Sequence, residues 1–307
     1  MFVRCFAFNL NDVADVYKKT GELAVVTGGA RGIGLKLVKK LLECDMNVII
    51  GCRNVDAGMK AVTDIRASGV TSGSVSVFKL DLESFDSIKE FATTVRSQHS
   101  FLNLLVNNAG IMFVPYALSE GIESHWKVNY LGPFYLTHLL MPLLLNVRQP
   151  KRSRIVNVTS CAHQAVTTFT IDTDYTKSDY IPSEAYGQSK LAQVLFTKEL
   201  NRKLSDNNSN VTVLAVHPGI VDTDLFNGTL LKRFFPWILK YVCKNSEEGA
   251  TTVLYACIAP QLDSKGGAYV SNCTVRSPSK LAENCNYQRK LFNHSLSFLR
   301  IDDFGKI

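Results

Sequence analysis

The stretch Thr27-Gly28-Gly29-Ala30-Arg31-Gly32-Ile33-Gly34 decides the fold. Its glycines at 28, 32 and 34 follow the spacing G-x-x-x-G-x-G. An apolar run over 23–26 precedes it, and a helical pattern over 33–42 follows. A glycine cluster in an arbitrary loop says little. Between a first strand and a helix it fits a turn that approaches a pyrophosphate, because glycine allows the tight backbone and the helix N-terminus faces the anion.

The rest of the chain repeats that alternation. Short apolar runs at 47–50, 75–80, 102–106, 155–158 and 211–216 read as strands. Helical patterns at 57–67, 85–95, 133–145 and 184–204 separate them. All-apolar strands of this length are buried on both faces, and strands alternating with helices imply right-handed βαβ units. The expected fold is α/β: a Rossmann-type, doubly wound parallel sheet with helices on both faces and a small C-terminal substrate lid. The expected organisation is an N-terminal extension over 1–20 and one domain over 21–307, with the lid at about 224–245. No repeat or low-complexity segment interrupts it.

The 307 residues are 46% hydrophobic and 20% charged, an ordinary globular composition. The net charge of +7 favours anionic partners. No Lys/Arg block with interleaved aromatics occurs, so nucleic acid is not an expected partner. The eight cysteines show neither C-x-x-C pairs nor metal-type spacing with histidine, which suits free thiols and no metal site. Sequons at Asn210, Asn227 and Asn272 are short enough to arise by chance. That of Asn157 falls in an expected buried strand, where a glycan has no room. Residues 1–10 are apolar but interrupted by Arg4, and a spanning helix needs about 20 apolar residues. A weak interfacial anchor and a frayed end remain the two readings of that segment.

A dinucleotide fold reads the adenosine ribose at the end of its second strand, where an acid selects NAD and an arginine suits a 2′-phosphate. Here that end is Ile50-Gly51-Cys52-Arg53-Asn54, with no carboxylate before Asp56. Arg53, with Arg31 from the glycine turn, points to NADP(H); solvated surface arginines are the plain alternative. The third strand runs into Asp81-Leu82. That carboxylate suits either an adenine amino group or a helix cap.

Tyr186 and Lys190 are four apart in a helical pattern and share a face. A free phenol, pKa about 10, is a poor base at neutral pH. A nearby ammonium and a positive nicotinamide ring favour its phenolate, so Tyr186 can exchange a proton with an alcohol or carbonyl. Ser160, just past the expected fifth strand at 154–159, can polarise the substrate oxygen; a turn or N-cap serine is the commoner use. Asn129 lies mid-helix, where asparagine is mildly unfavourable. That suggests a local hydrogen-bond task, such as holding a water that relays protons to Lys190.

Thr27 to Gly34, Asn107-Asn108-Ala109-Gly110, Asn129, Ser160, and Tyr186 with Lys190 together resemble the motif set of the short-chain dehydrogenase/reductase family, over about residues 21–275. The resemblance implies that Asn129, Ser160, Tyr186 and Lys190 act together in catalysis. It also implies cofactor contacts from Thr27, Gly28, Arg31, Gly32, Ile33, Gly34, Arg53, Asp81, Leu82, Asn108, Ala109, Gly110, Tyr186 and Lys190. Pro218-Gly219, Val221 and Thr223 match the turn beside the nicotinamide. Three features resemble the retinol dehydrogenase-like branch: the long insertion between Ser160 and Tyr186, Tyr186-Gly187-Gln188-Ser189-Lys190-Leu191-Ala192, and His217-Pro218-Gly219-Ile220-Val221-Asp222-Thr223. Pro133 stands where that branch often carries a basic residue, and the long N-terminal anchor of many members is missing.

Residues 225–243 are rich in apolar and aromatic side chains, with Phe234, Phe235, Trp237 and Leu239 among Lys232, Arg233, Lys240 and Lys244. An apolar lid suits an apolar small-molecule substrate. An amphipathic helix on a membrane, and a helix packed on the core, are the other readings. Together these expectations describe an NADP(H)-dependent oxidoreductase of apolar alcohols, aldehydes or ketones. It would be intracellular, in the cytoplasm or peripherally on the endoplasmic reticulum membrane; a homo-oligomer stays open. A non-catalytic NADP sensor would need neither Ser160, Tyr186 nor Lys190. A sugar-nucleotide epimerase would need a longer, more polar C-terminal region.

Overall fold

A computed structural model describes residues 18–171, 175–219 and 245–306. The expected lid, together with Val221 and Thr223, lies outside the described residues. The strands of the main sheet are β1 (Leu23–Thr27), β2 (Asn47–Cys52), β3 (Val75–Lys79), β4 (Leu104–Asn107), β5 (Ser153–Val158), β6 (Val211–His217), β7 (Tyr269–Ser271) and β8 (Thr274–Arg276); Leu118–Ser119 and Ile122–Glu123 pair as a separate small hairpin. The main sheet has the order β8-β7-β6-β5-β4-β1-β2-β3. All neighbours pair in parallel except β7 with β8, an antiparallel edge hairpin. The order reverses between β1 and β4, and ligands of such sheets bind outside the strand C-termini at that point.

The helices are α1 (Gly32–Glu43), α2 (Val55–Ala67), α3 (Phe85–Gln98), α4 (Ser124–Leu145), α5 (Pro182–Asp206), α6 (Ser246–Ile258) and α7 (Cys285–Phe298). Strand side chains alternate between the sheet's two faces. Leu23 and Val25 join a core with α3, α4, α5 and α7, whereas Ala24 and Val26 join one with α1 and α6. The same split separates Ile49 from Val48 and Ile50, and Ile155 from Val156. This two-sided burial is why the strands read as unbroken apolar runs. Asn157 is fully buried and ties β5 to its neighbours: it accepts from Asn107 Nδ2 at 2.8 Å and donates to Thr197 Oγ1 at 2.9 Å.

Helix α4 begins before the expected residue 133 and contains a π-turn over Lys127–Leu131. Proline lacks an N–H and its ring clashes with the carbonyl four residues back. For Pro133 that carbonyl belongs to Asn129. The widened turn, in which Gly132 N–H reaches Lys127 O, accommodates the proline and sets Asn129 apart from the regular helix. Although α4 is long and apolar enough to cross a membrane, 83% of its most apolar window is buried inside the protein, as in a core helix.

Candidate active site

Strand β1 ends at Thr27, and the chain reverses through Gly28, at φ +68°, and Gly32, at φ +56°. A Cβ on Gly34 would stand 2.3 Å from Gly28 O and 2.6 Å from Asn108 Nδ2, so only glycine fits. The first turn of α1 carries no acidic residue, and Arg31 before it makes no side-chain cap. Its N–H groups therefore face a cleft suited to an anion. Thr27 does not line the cleft. It is buried, and its Oγ1 accepts from the N–H groups of Asn108 (3.0 Å) and Ala109 (2.9 Å), locking the end of β4 to the glycine turn.

The cleft, of about 490 Å³, brings together most of the sequence-predicted cofactor residues: Gly28, Arg31, Gly32, Ile33, Gly34, Arg53, Asp81, Leu82, Asn108, Ala109, Gly110, Tyr186, Lys190 and Pro218. Gly219, at φ +101°, sits next along the chain. Cys52, Glu83, Ile111 and Val128 also line the cleft and were not foreseen. Glu83 matters most. Its carboxylate lies 3.6 Å from the Arg53 guanidinium, so an acid does reach the end of the cleft beside β2. It arrives from the turn after β3, not from β2, which is why reading along β2 missed it. Asp81 shapes that turn by accepting from Glu83 N–H at 3.0 Å. It is not the cap of α3; Ser84 takes that place.

At the other end stand Tyr186 and Lys190, both on α5 and both buried. Ser160 lies beside the Tyr186 hydroxyl, where it favours the ionised phenol. Ser160 Oγ also accepts from Ala162 N–H at 3.2 Å, so the serine caps the short 3-10 turn Cys161–Ala165 as well as meeting the tyrosine. His163 holds that turn from behind. Its Nε2 accepts from Ser279 N–H at 3.2 Å, which leaves Nδ1–H to donate to Ser160 O at 2.6 Å. Sequence reading missed His163, since its partner Ser279 lies far along the chain.

Two of the expected roles can be compared with this geometry. Lys190 Nζ lies 5.8 Å from the Tyr186 ring centre and gives hydrogen bonds to Val158 O (3.0 Å) and Gln193 Oε1 (3.1 Å). Burial opposes charge on both groups. It pushes the Tyr186 phenol up to about 12, against the lowering pull of Ser160, and the Lys190 amine down to about 7. Burial therefore opposes the tyrosine–lysine ion pair. Asn129 has the local hydrogen-bond role expected of it, with Ile111 and Ser189 as partners: Oδ1 accepts from Ile111 N–H at 2.9 Å, and Nδ2 donates to Ile111 O and Ser189 Oγ at 3.0 Å each. It adjoins the cleft through Gly110, where an added Cβ would meet Asn129 Oδ1 at 3.0 Å and Lys190 Nζ at 3.4 Å.

The sequence profile described as short chain dehydrogenase matches residues 22–232. Mouse retinol dehydrogenase 11 is 39% identical over 282 residues, 91% of this chain and 86% of that protein. Human polyprenol dehydrogenase is 35% identical over 289 residues, 92% of this chain and 86% of that protein. A crystal structure of an uncharacterised protein from Mycobacterium paratuberculosis superposes with a TM-score of 0.72 at 28% identity, covering 98% of each chain. The chain belongs to the short-chain dehydrogenase family. It is an oxidoreductase of that type, with a fold that binds a nicotinamide cofactor.

Proposed function

We propose that this protein interconverts an apolar alcohol, retinoid-, isoprenoid- or steroid-like, with its aldehyde or ketone, using NADP(H). The observation that carries the reading is one cleft with two arginines at one end and the buried Tyr186 and Lys190 at the other, with the half-buried Ser160 beside Tyr186. The residues fit the cofactor: the glycine cradle leaves no room for a Cβ at Gly34, and Arg31 puts no side-chain cap on the α1 N-terminus. Gly28, Gly32, Ile33 and Gly34 would hold the pyrophosphate, and Arg31 and Arg53 the 2′-phosphate. The exposed Arg53–Glu83 pair is weak, and a phosphate dianion is the better partner for a guanidinium.

When bound, the cofactor supplies or accepts the hydride. Tyr186 gives a proton to the carbonyl oxygen, or takes one from the alcohol. Ser160 orients that oxygen by its hydroxyl. Lys190, whose amine burial makes easier to deprotonate than usual, would return a proton to Tyr186 and regain one from solvent. Asn129 and His163 position the groups around them.

Within the family we place the chain in the retinol dehydrogenase-like branch. Its stretches Gly110-Ile111-Met112-Phe113-Val114-Pro115 and Glu247-Glu248-Gly249-Ala250 resemble the dehydrogenase/reductase member encoded on the X chromosome. The retinol and polyprenol dehydrogenase names of the relatives support the apolar substrate class. An intracellular protein, cytoplasmic or peripheral on the endoplasmic reticulum, suits such substrates. The test is NADPH and NADH consumption over carbonyl compounds from short-chain to isoprenoid and retinoid. The reading expects NADPH-dependent turnover that improves with apolar size. Tight NADPH binding without turnover of any of them would make the protein a sensor instead.

A further inference from the structure

The chain leaves β4 at Asn107 and passes Tyr186 as a loop before entering α4. In that loop Phe113 has φ +55°, a left-handed conformation that is an outlier for a bulky aromatic residue. Its ring remains 38% exposed and meets the Tyr186 ring edge-on, with centroids 5.4 Å apart and planes at 77°. Strain of this kind persists only where the surroundings impose it.

The surroundings do so on both sides. Asn129 takes the N–H and the carbonyl of Ile111, two residues before. Val114, the residue after, donates its N–H to His125 Nε2 at 3.3 Å. Because Nε2 accepts, the imidazole proton is on Nδ1, 2.8 Å from both Glu123 Oε1 and the Tyr180 hydroxyl. The Tyr180 hydroxyl donates to Glu123 Oε1 at 2.7 Å. Glu123 and His125 are buried, and the His125 ring itself packs 6.1 Å from Tyr186. A carboxylate is costly to bury unless hydrogen bonds satisfy it. Here Glu123 also receives the His125 and Trp126 N–H groups. Tyr180 belongs to the long insertion between Ser160 and Tyr186, so the insertion closes this cluster.

We infer that Phe113 is a specificity-determining residue of the substrate side. It is an apolar wall beside Tyr186, held in its strained turn by Asn129 on one flank and by the positioning cluster Glu123–His125–Tyr180 on the other. The wall suits an aliphatic, isoprenoid or fused-ring chain next to the reacting carbonyl and offers nothing to a charged one. This rests on the proposed role of Tyr186.

The test compares farnesal with butanal at saturating NADPH. Phe113→Gly removes the ring and suits a left-handed residue, so it lifts the strain as well. Phe113→Leu restores an apolar side chain. The ratio of kcat/KM for farnesal over butanal should fall about tenfold to a hundredfold in Phe113→Gly, through KM, and largely recover in Phe113→Leu. Tyr180→Phe should lower the same ratio in the wild-type background. In Phe113→Gly it should change it less than about twofold, since a residue acting through Phe113 has nothing left to position. An unchanged ratio in Phe113→Gly, or a Tyr180→Phe effect of equal size in both backgrounds, overturns the inference. A wild type that turns over neither aldehyde overturns the proposed function instead. The ratio test then passes to calorimetric binding of farnesol to the NADPH-loaded protein, where Phe113→Gly must still weaken binding if the wall exists.

Discussion

Lys190 directs its amine at Val158 O and Gln193 Oε1, not at the Tyr186 hydroxyl four residues away on the same helix. The pair shares a helix face, as a spacing of four requires. The contact it makes is ammonium to ring, at 5.8 Å, in a site that disfavours charge on either group. Burial thus favours a proton-carrying role for Lys190, as proposed above, over that of a fixed counter-charge.

Tyr186→Phe keeps the ring that packs against Phe113 and His125 and removes only the hydroxyl. It should fold and bind NADPH like the wild type, and lose about 10²–10⁴ in kcat, the usual worth of a positioned acid. Ser160→Ala should lose about 10²–10³ as a missing donor at the developing charge. Steady-state rates with cofactor affinity measured alongside check both. A Tyr186→Phe enzyme within a few-fold of wild type would remove the tyrosine from the chemistry.

Arg53 and Glu83 set opposite effects at the ribose end. Arg53→Asp should weaken NADPH by about ten- to a hundredfold, the value of a charge-assisted hydrogen bond, and leave NADH nearly as before. Glu83→Gln should tighten NADPH only a few-fold, because an exposed pair is worth about 0.2–1 kcal/mol. Fluorescence titrations with both cofactors decide. Equal wild-type affinities would mean that the 2′-phosphate is not read here.

Burial of Lys190 has a signature in stability. Its folded value is about 7, below the ordinary 10.5. Between those values the unfolded chain holds a proton that the folded protein does not, so stability should rise with pH across this window. Tyr186 acts in the opposite sense higher up. Its folded value of about 12 exceeds 10, so stability should fall as pH rises from 10 towards 12. Lys190→Met should flatten the first slope and be more stable than wild type near pH 7. Urea midpoints across the window measure this; an identical slope in the variant would assign it to other groups.

Gly34→Ala places a methyl against backbone, 2.3 Å from Gly28 O, where no side chain can give way. It should cost about 1–3 kcal/mol of stability as overpacking. NADPH binding should fall with it, because the same atoms shape the cradle. Gly69→Ala is the contrast: nothing lies within 4 Å of the added atom, although φ is +91°. It should lower the melting temperature through backbone strain alone and spare cofactor affinity.

What the sequence disclosed, and what it did not, follows from how local each signal is. Six of the seven parallel strands and the glycine turn were legible because two-sided burial and a strand–turn–helix junction leave marks within a dozen residues. The β7–β8 edge hairpin, α6 and α7 were not assigned. Three-residue edge strands carry too little periodicity, and α6 is apolar nearly all round. Asn129 was visible as a poor helix residue, but its task was not, because Ile111 joins it only through the fold. Glu83, His163 and the Glu123–His125–Tyr180 cluster escaped for the same reason: each partner comes from another element.

The most direct test of the account follows the hydride itself. Wild-type protein is incubated with farnesal and NADPH deuterated at the transferred position of the nicotinamide ring, and the product is examined by mass spectrometry. The account predicts farnesol carrying deuterium on the carbinol carbon, formed by the wild type and absent with Tyr186→Phe. Unlabelled farnesol, no farnesol, or equal labelled yield from the variant would contradict it.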